Sequence, residues 1–389
     1  MSTLRRTVLA LTLASTTALV APSAALAGGG HHGGPRADVT QQALNRLVRD
    51  DGLPGALAAV TDARGRERDL TAGVGDLATR SRVPVDGQVR IGSSSKTYTA
   101  VVVLQLVAEG TVGLDEPIET YLPGLVRGPD YDGHDITVRQ LLNHTSGVPD
   151  YVGGLGNLVE NRGWYWTSRD LVDLALTQER DFAPAEGWNY SNTNYVVLGL
   201  MVERVTHRPL AEAITQRIIE PLGLTGTYVP DRGEQTIRAP HPHGYDAVEP
   251  LSGDLVDVTD LDASMADAAG DIVATPSDVN RFYAALLDGT LLEPAQLEQM
   301  KQTVPGSRGI LPNAEYGLGL VRFDLSCGTV AWGHGGDIPG YETRSAVTEA
   351  GREATIAVTA EPSALRGDEE SVTAVAGRVF QAMDTALCS

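Results

Sequence analysis

The chain has 389 residues, a formal net charge of −20 at pH 7 and two cysteines. A chain this acidic is a poor partner for nucleic acid or for an anionic membrane surface, because like charges repel. The two cysteines lack metal-ligand spacing, and no apolar run after the N-terminal segment is long enough to span a bilayer. The composition therefore indicates a large globular protein that needs neither nucleic acid nor a membrane anchor.

Residues 1–27 have the pattern of a secretory signal peptide. Arg5 and Arg6 precede an apolar stretch at 8–20, and Ala25-Leu26-Ala27 has the small-x-small form of a cleavage site. Residues 28–36, rich in glycine and histidine, are predicted to be a flexible linker. We therefore expect a secreted protein with a single domain over residues 37–389.

Cys327 and Cys388 suit an oxidising compartment and predict one disulfide bond. Such a bond would tie the last residues of the chain to a strand about sixty residues upstream.

The pattern along residues 37–91 predicts a helix at 37–50 and two strands, at 56–61 and 67–74, joined by a turn. From 92 to about 299 the pattern is mainly helical. Helices are predicted at 169–176 (capped by Ser168), 194–206, 210–219 and 279–287.

Strand patterns return after about residue 300, at 316–323, 329–334, 343–348 and 354–360, and an amphipathic helix at 371–387 closes the chain. Strands at both ends of the chain predict an α+β fold. One antiparallel sheet would be built from both termini and flanked by helices, with a mainly helical lobe inserted. The lobes would comprise 37–91 with 300–389, and 92–299. A site is expected in the cleft between them.

Ser93 and Lys96 stand out because lysine is scarce: Lys96 and Lys301 are the two lysines among thirty basic residues. The segment 101–107 is apolar nearly all round, which predicts a buried helix. The i, i+3 spacing places the hydroxyl and the amine on one face, and a desolvated lysine can lose its proton whereas an arginine cannot. The pair indicates an activated serine nucleophile. The alternative is that Ser93 caps a helix and Lys96 is solvated.

Two further segments carry polar groups in suitable contexts. Tyr190-Ser191-Asn192 precedes a predicted helix, and His334-Gly335-Gly336 ends a predicted strand. Each is weak alone. Together with Ser93 and Lys96, in this order, they resemble the motifs of the penicillin-recognising serine hydrolases. That family includes serine D-alanyl-D-alanine carboxypeptidases, class C β-lactamases, and esterase and D-aminopeptidase relatives. The resemblance extends over the mature chain and includes residues 121–124, 141–147, 190–194 and 268–271. In particular the chain resembles secreted actinomycete DD-carboxypeptidases, which share the segment 325–328 and a late cysteine.

The resemblance implies that Ser93 attacks a carbonyl and forms an acyl-enzyme. Lys96 and Tyr190 would transfer the protons, and the sequence leaves open which of them is the base. His334 would help to orient the Tyr–Ser network, and Asn192 would bind the amide of the substrate.

Residues Gly335, Gly336 and Asp337 would complete the substrate site, and the backbone N–H groups of Ser93 and Asp337 would form an oxyanion hole. The resemblance implies no metal ion and no organic cofactor.

The third motif departs from that of the DD-carboxypeptidases, which is His-Thr-Gly-Thr and binds the substrate's terminal carboxylate with its hydroxyls and a nearby arginine. This chain has Gly335 and Asp337 at those two places, and the arginine is displaced by one, as Arg322 behind Val321. An anionic Asp337 would repel a carboxylate. The His-Gly-Gly form also resembles D-aminopeptidases, in which a free amine is recognised.

We therefore predict a secreted, penicillin-binding DD-carboxypeptidase-like hydrolase that acts on small peptides or β-lactams, with peptidoglycan stem peptides as one possible substrate and a monomeric state assumed. The alternatives with the same machinery are an esterase, a D-aminopeptidase and a β-lactamase. A catalytically inactive wall protein is disfavoured because the motif residues are all present. A Ser–His–Asp α/β-hydrolase is disfavoured because the chain has no G-x-S-x-G motif.

Overall fold

The computed structural model describes residues 38–305, 307 and 314–389. The predicted signal peptide and linker lie outside this part of the chain. The helices are α1 (Val39–Arg49), α2 (Ser95–Ala108), α3 (Val138–Leu142), α4 (Ser168–Leu176), α5 (Asn192–Thr206), α6 (Leu210–Ile214), α7 (Glu220–Leu222), α8 (Pro276–Leu287), α9 (Pro294–Met300) and α10 (Glu369–Cys388). None of these helices combines the length and hydropathy that crossing a bilayer requires.

The strands of the described residues are β1 (Gly55–Thr61), β2 (Glu67–Gly73), β3 (Val89–Arg90), β4 (Arg127–Gly128), β5 (Tyr131–Asp132), β6 (Tyr245–Asp246), β7 (Val256–Asp257), β8 (Val273–Ala274), β9 (Ala314–Tyr316), β10 (Val321–Asp324), β11 (Val330–Ile338), β12 (Tyr341–Thr348) and β13 (Glu353–Val358). Seven of them form one antiparallel sheet in the order β2-β1-β13-β12-β11-β10-β9. Strand β1 pairs with β13, so both ends of the chain build the sheet, and the predicted α+β fold is confirmed.

One face of this sheet is covered by the first and the last helix. Leu44 and Leu47 of α1 pack with Val379 and Met383 of α10 and with Ile356 of β13 in one buried apolar cluster. Full burial of each such side chain contributes roughly 1.5–3 kcal/mol. The terminal helices therefore join the two ends of the chain.

The other face is covered by α8 and, beyond it, by α2. The side chain of Asn280 donates to the carbonyl of Ala59 at 3.0 Å and accepts from Thr355 at 2.7 Å, so α8 is bonded to two strands of the sheet. Eleven of the fourteen residues of α2 are buried. This confirms the buried helix predicted behind Ser93. Helix α8 thus packs on the sheet although its residues fall in the range 92–299. The division into two lobes stays a prediction.

Two predicted strands have different bounds in the structure. The predicted strand 316–323 is two strands, β9 and β10, because the chain turns between them at Gly319, whose φ of 73° favours glycine. The predicted strand 329–334 continues to Ile338 as β11. The middle of β11 is rich in glycine, and glycine has no side chain with which to show the alternation of a strand.

Two predicted helices also differ in detail. The cap of α4 is Thr167, whose hydroxyl accepts from the N–H of Asp170 at 3.1 Å, so Ser168 is the first helical residue. The predicted helix 210–219 is α6 followed by a π-helical turn, Thr215–Ile219.

Cys327 and Cys388 form the predicted disulfide, which joins the β10–β11 turn to the end of α10. Replacing both cysteines by serine should lower the free energy of unfolding by up to about 4 kcal/mol, because the bond closes a long loop in the unfolded chain. Urea unfolding followed by circular dichroism measures this, with reduced wild-type protein as the matched control. Equal urea midpoints for the oxidised wild type and the variant would contradict it.

Candidate active site

Ser93 lies in a short 3₁₀ turn, Gly92–Ser94, that runs directly into α2 at Ser95. The cap position of α2 is Ser94, and no side chain makes a capping hydrogen bond there. The turn is fixed against the sheet, since the Ser94 hydroxyl donates to the carbonyl of His334 at 3.2 Å. Ser93 is therefore not the helix cap that the alternative interpretation required.

The Lys96 amine is fully buried and lies within hydrogen-bond distance of three oxygens. These are the Ser93 hydroxyl at 3.0 Å, the Asn192 side-chain carbonyl at 2.6 Å and the backbone carbonyl of Ala269 at 2.8 Å. A neutral amine has two hydrogens, which match the two carbonyl oxygens, and one lone pair. That lone pair is left for the proton of the Ser93 hydroxyl.

Burial lowers the pKa of Lys96 to about 7, although the nearby carboxylates of Asp150 and Asp337 act in the opposite direction. The charged form loses its hydration in such a place, so the neutral form is favoured. Lys96 is thus a desolvated amine, and the alternative of a solvated surface lysine is wrong.

Tyr190 lies next to this pair, with the Lys96 nitrogen 4.9 Å from the centre of its ring. Burial raises the pKa of the Tyr190 phenol well above its usual range, and a hydrogen bond with Ser93 only partly offsets the shift. The phenol therefore remains protonated at neutral pH. Of the two groups whose roles the sequence left open, Lys96 is the one able to accept a proton there.

Asn192 is the first residue of α5, and its orientation is fixed by Asp150. The Asp150 carboxylate accepts from the Asn192 side-chain amide at 2.7 Å and from its backbone N–H at 3.3 Å. This leaves the carbonyl end of the amide facing Lys96. Sequence reasoning missed Asp150, which no motif spacing singles out.

His334 lies on β11, and its two ring nitrogens have different partners. Nδ1 donates to the backbone carbonyl of Gly335 at 2.5 Å, which leaves Nε2 to accept from the Tyr316 hydroxyl at 3.0 Å. Burial lowers the pKa of His334 to about 3, so the ring is neutral at physiological pH. Its centre is 6.4 Å from that of Tyr190. Among the described residues the polar contacts of this ring therefore lead to Tyr316, which sequence reasoning missed.

A second buried histidine, His144, packs against the ring of Tyr190. Its ring centre lies 4.4 Å from that of Tyr190 and 4.6 Å from that of Tyr316, and its Nδ1 accepts from the backbone N–H of Ser191 at 3.2 Å. Burial lowers its pKa well below the usual range. The resemblance covered this residue through the segment 141–147, but no role was derived for it. It forms part of an apolar wall that holds the Tyr190 ring.

Strand β11 crosses the Ser93 turn so closely that only glycine fits at the crossing. A Cβ on Gly336 would lie 1.9 Å from the carbonyl oxygen of Ile91 and 2.9 Å from the nitrogen of Ser93. A Cβ on Gly92 would lie 2.9 Å from the nitrogen of Asp337. The backbones of Ser93 and Asp337 are thus side by side. Two N–H groups so placed can stabilise the negative charge of a tetrahedral intermediate.

The side chain of Asp337 is 55% exposed, and one of its oxygens accepts from Arg344 at 2.7 Å. Gly335 lies opposite Arg344 in the β11–β12 ladder. Arg322 is paired with Asp324 at 2.7 Å. The two arginines of the neighbouring strands therefore each have a carboxylate partner.

A cavity of about 480 Å³ lies on the other side of the segment that carries Ala269, and Asp267 and Asp271 are among its lining residues. None of the predicted site residues lines it. The predicted residues Ser93, Lys96, Tyr190, Asn192 and His334, with Gly335 to Asp337, lie instead where α2, α5 and β11 meet.

The chain and its structure are similar to those of known proteins. The Beta-lactamase family model matches residues 40–376. The structure is similar to that of a D-stereospecific amidohydrolase from Streptomyces sp., with 41% identity, coverage of 86% of this chain and 96% of that chain, and a TM-score of 0.76. It is also similar to a D-amino acid amidase from Ochrobactrum anthropi SV3, with 28% identity, coverage of 90% and 99%, and a TM-score of 0.74.

Among curated sequences, penicillin-binding protein 4* of Bacillus subtilis (strain 168) is 28% identical over 292 residues, or 70% of this chain. The chain spans about three fifths of the length of that relative. The family match covers most of the chain, and the residues that the sequence predicts for the site lie together in the fold. The chain therefore belongs to the β-lactamase family of penicillin-recognising serine hydrolases.

Proposed function

We propose that this protein is a serine hydrolase that cleaves amides of D-amino acids whose α-amine is free, through an acyl-enzyme on Ser93. The observation that carries this proposal is the exposed carboxylate of Asp337 beside the Ser93 turn. A carboxylate at that place attracts an ammonium group and repels another carboxylate. The similarity to a D-stereospecific amidohydrolase and to a D-amino acid amidase supports the same substrate class.

In the first step the Lys96 amine takes the proton of the Ser93 hydroxyl while the serine oxygen bonds to the substrate's carbonyl carbon. The carbonyl oxygen becomes an oxyanion. It is stabilised by the N–H groups of Ser93 and Asp337, which are already oriented before the charge develops.

In the second step the carbon–nitrogen bond of the substrate breaks, and the leaving nitrogen takes a proton. Tyr190, whose ring lies next to the Lys96 amine, donates that proton and recovers one from Lys96. Water then attacks the acyl carbon while Lys96 takes one of its protons, and this proton passes to the Ser93 oxygen as the ester bond breaks. The products are a D-amino acid and an amine, and Ser93 returns to its initial form.

A DD-carboxypeptidase that is acylated by penicillin is the second candidate. The similarity to penicillin-binding protein 4* favours it, and the acylation chemistry would be the same. Its substrate ends in a carboxylate, which needs a cation, yet Arg344 and Arg322 are both paired with aspartates. We further propose that the protein acts outside the cytoplasm. The disulfide supports this, because such bonds persist in oxidising compartments.

Substrate preference separates the two candidates. The kcat/KM for D-alanine p-nitroanilide should exceed that for N-acetyl-D-alanine p-nitroanilide by at least ~10-fold, because acetylation removes the charge that Asp337 attracts. The L-alanine anilide and an N-acylated D-Ala-D-Ala peptide complete the comparison. Faster release of D-alanine from the acylated peptide than cleavage of the free-amine anilide would favour the carboxypeptidase and contradict our proposal.

Lys96→Arg should be nearly as damaging as Lys96→Ala, because an arginine retains its proton and cannot act as the base. Both variants should lose roughly 10²–10⁴-fold in kcat/KM for p-nitrophenyl acetate. Lys301→Arg is the matched control, since it makes the same change at the other lysine of the chain. Ser93→Ala sets the background rate. A Lys96→Arg variant within a few-fold of wild type would refute the role of Lys96.

The same reaction should become faster as pH rises through about 7, the pKa of Lys96, because its amine must be neutral to accept the serine proton. His334 has a pKa of about 3 and is neutral throughout that range, so it adds no second step. The measurement is kcat/KM for p-nitrophenyl acetate, which has no titrating group, between about pH 5 and 9. A flat profile, or one that falls as pH rises, would show that Lys96 is not the base.

A further inference from the structure

We infer that Arg344 is a positioning residue that sets the substrate preference of this site by holding the Asp337 carboxylate, and that Gly335 is needed to make room for it. The two departures of the third motif, at 335 and 337, would then be parts of one unit with Arg344. This inference rests on the proposed function.

Arg344 belongs to β12, and its guanidinium lies next to Gly335 of β11, the strand that carries part of the predicted site. Its side chain is 7% exposed, against 55% for Asp337, and one nitrogen donates to Asp337 at 2.7 Å and to the carbonyl of Thr343 at 2.8 Å. The cation is therefore buried and its partner carboxylate faces outward. The exposed end of the pair is therefore the negative one, and it is the end that the proposed substrate would meet.

Gly335 provides the space for this side chain. It lies opposite Arg344 in the β11–β12 ladder, and a Cβ there would be 3.1 Å from the guanidinium nitrogen and 3.3 Å from Cδ of Arg344. A threonine would bring further atoms into the same space. A hydroxyl-bearing residue at 335 would thus require the Arg344 side chain to move from its present position.

Three acidic side chains act electrostatically on the Arg344 cation, namely Asp337, Glu342 and Glu361. The buried carboxyl of Glu342 is 2.8 Å away but is not aligned as a hydrogen bond, and burial raises its pKa to about 8. Within the described residues Asp337 is the carboxylate that accepts a hydrogen bond from the Arg344 guanidinium, so it is the main partner of this cation. The other oxygen of Asp337 has no hydrogen bond within the described residues and is available to an ammonium group.

The test uses the ratio of kcat/KM for D-alanine p-nitroanilide to that for N-acetyl-D-alanine p-nitroanilide. General damage to the site lowers both values and leaves the ratio unchanged. The variants are Asp337→Asn, Arg344→Lys, and Arg344→Met combined with Glu342→Gln, which replaces both members of the buried Arg344–Glu342 pair together. Gly335→Ala is made in the wild type and in the double variant.

The ratio should fall ~10-fold in the double variant and in Asp337→Asn, and Arg344→Lys should retain it within roughly 3-fold because the charge remains. Gly335→Ala should lower the ratio by about 3-fold in the wild type and have little effect in the double variant, since the side chain it displaces is gone. Gly377→Ala is the matched control, because a Cβ at that glycine meets nothing within 4 Å.

An unchanged ratio in every variant would overturn the role of Arg344. So would an equal loss on both substrates, which indicates a purely structural role. Should the double variant fail to fold, as judged by thermal melting, the ratio in Gly335→Ala and Arg344→Lys decides the question. A wild type that does not prefer the free-amine substrate would refute the proposed function and this inference with it.

Discussion

The desolvation of Lys96 is the constraint on which the site depends. A buried ammonium without a directly bonded carboxylate is costly, so the amine is driven towards its neutral form. Its three oxygen partners come from the Ser93 turn, from α5 and from the segment around Ala269. These segments lie far apart in the chain. The environment that suits Lys96 to the proposed role of base therefore exists only in the assembled fold, in which most residues of α2 are buried together with the amine.

A second constraint is the crossing of β11 over the Ser93 turn. The Cβ clash at Gly336 shows how little space separates the strand from Ile91 and Ser93. This closeness brings the N–H groups of Ser93 and Asp337 together without any special side chain. The proposed oxyanion site thus depends on the sheet, whereas the proposed proton transfers depend on α2 and α5, so the proposed acyl transfer needs both parts of the fold.

Residues in short motifs could be predicted from the sequence because spacing alone places them. Ser93 and Lys96 are one helical turn apart, and the strands at both termini predicted the antiparallel sheet. Asp150, His144, Tyr316 and Arg344 could not be found in this way. Each acts through a contact with a residue distant in sequence, and no periodicity or spacing records such a contact. The full length of β11 could not be predicted for a related reason, because its glycines have no side chains with which to show the alternation of a strand.

Chemistry and recognition lie on different elements, which allows one to change without the other. The proposed nucleophile and base are on the turn and α2, while Asp337 and Arg344 belong to the ladder between β11 and β12. In that ladder a charge can be introduced only with its partner, because an unpaired buried arginine is strongly unfavourable. Room for the guanidinium must appear at the same time, at position 335. Under the proposed function, a change from carboxylate to amine recognition would thus involve linked substitutions on two strands, at positions 335, 337 and 344.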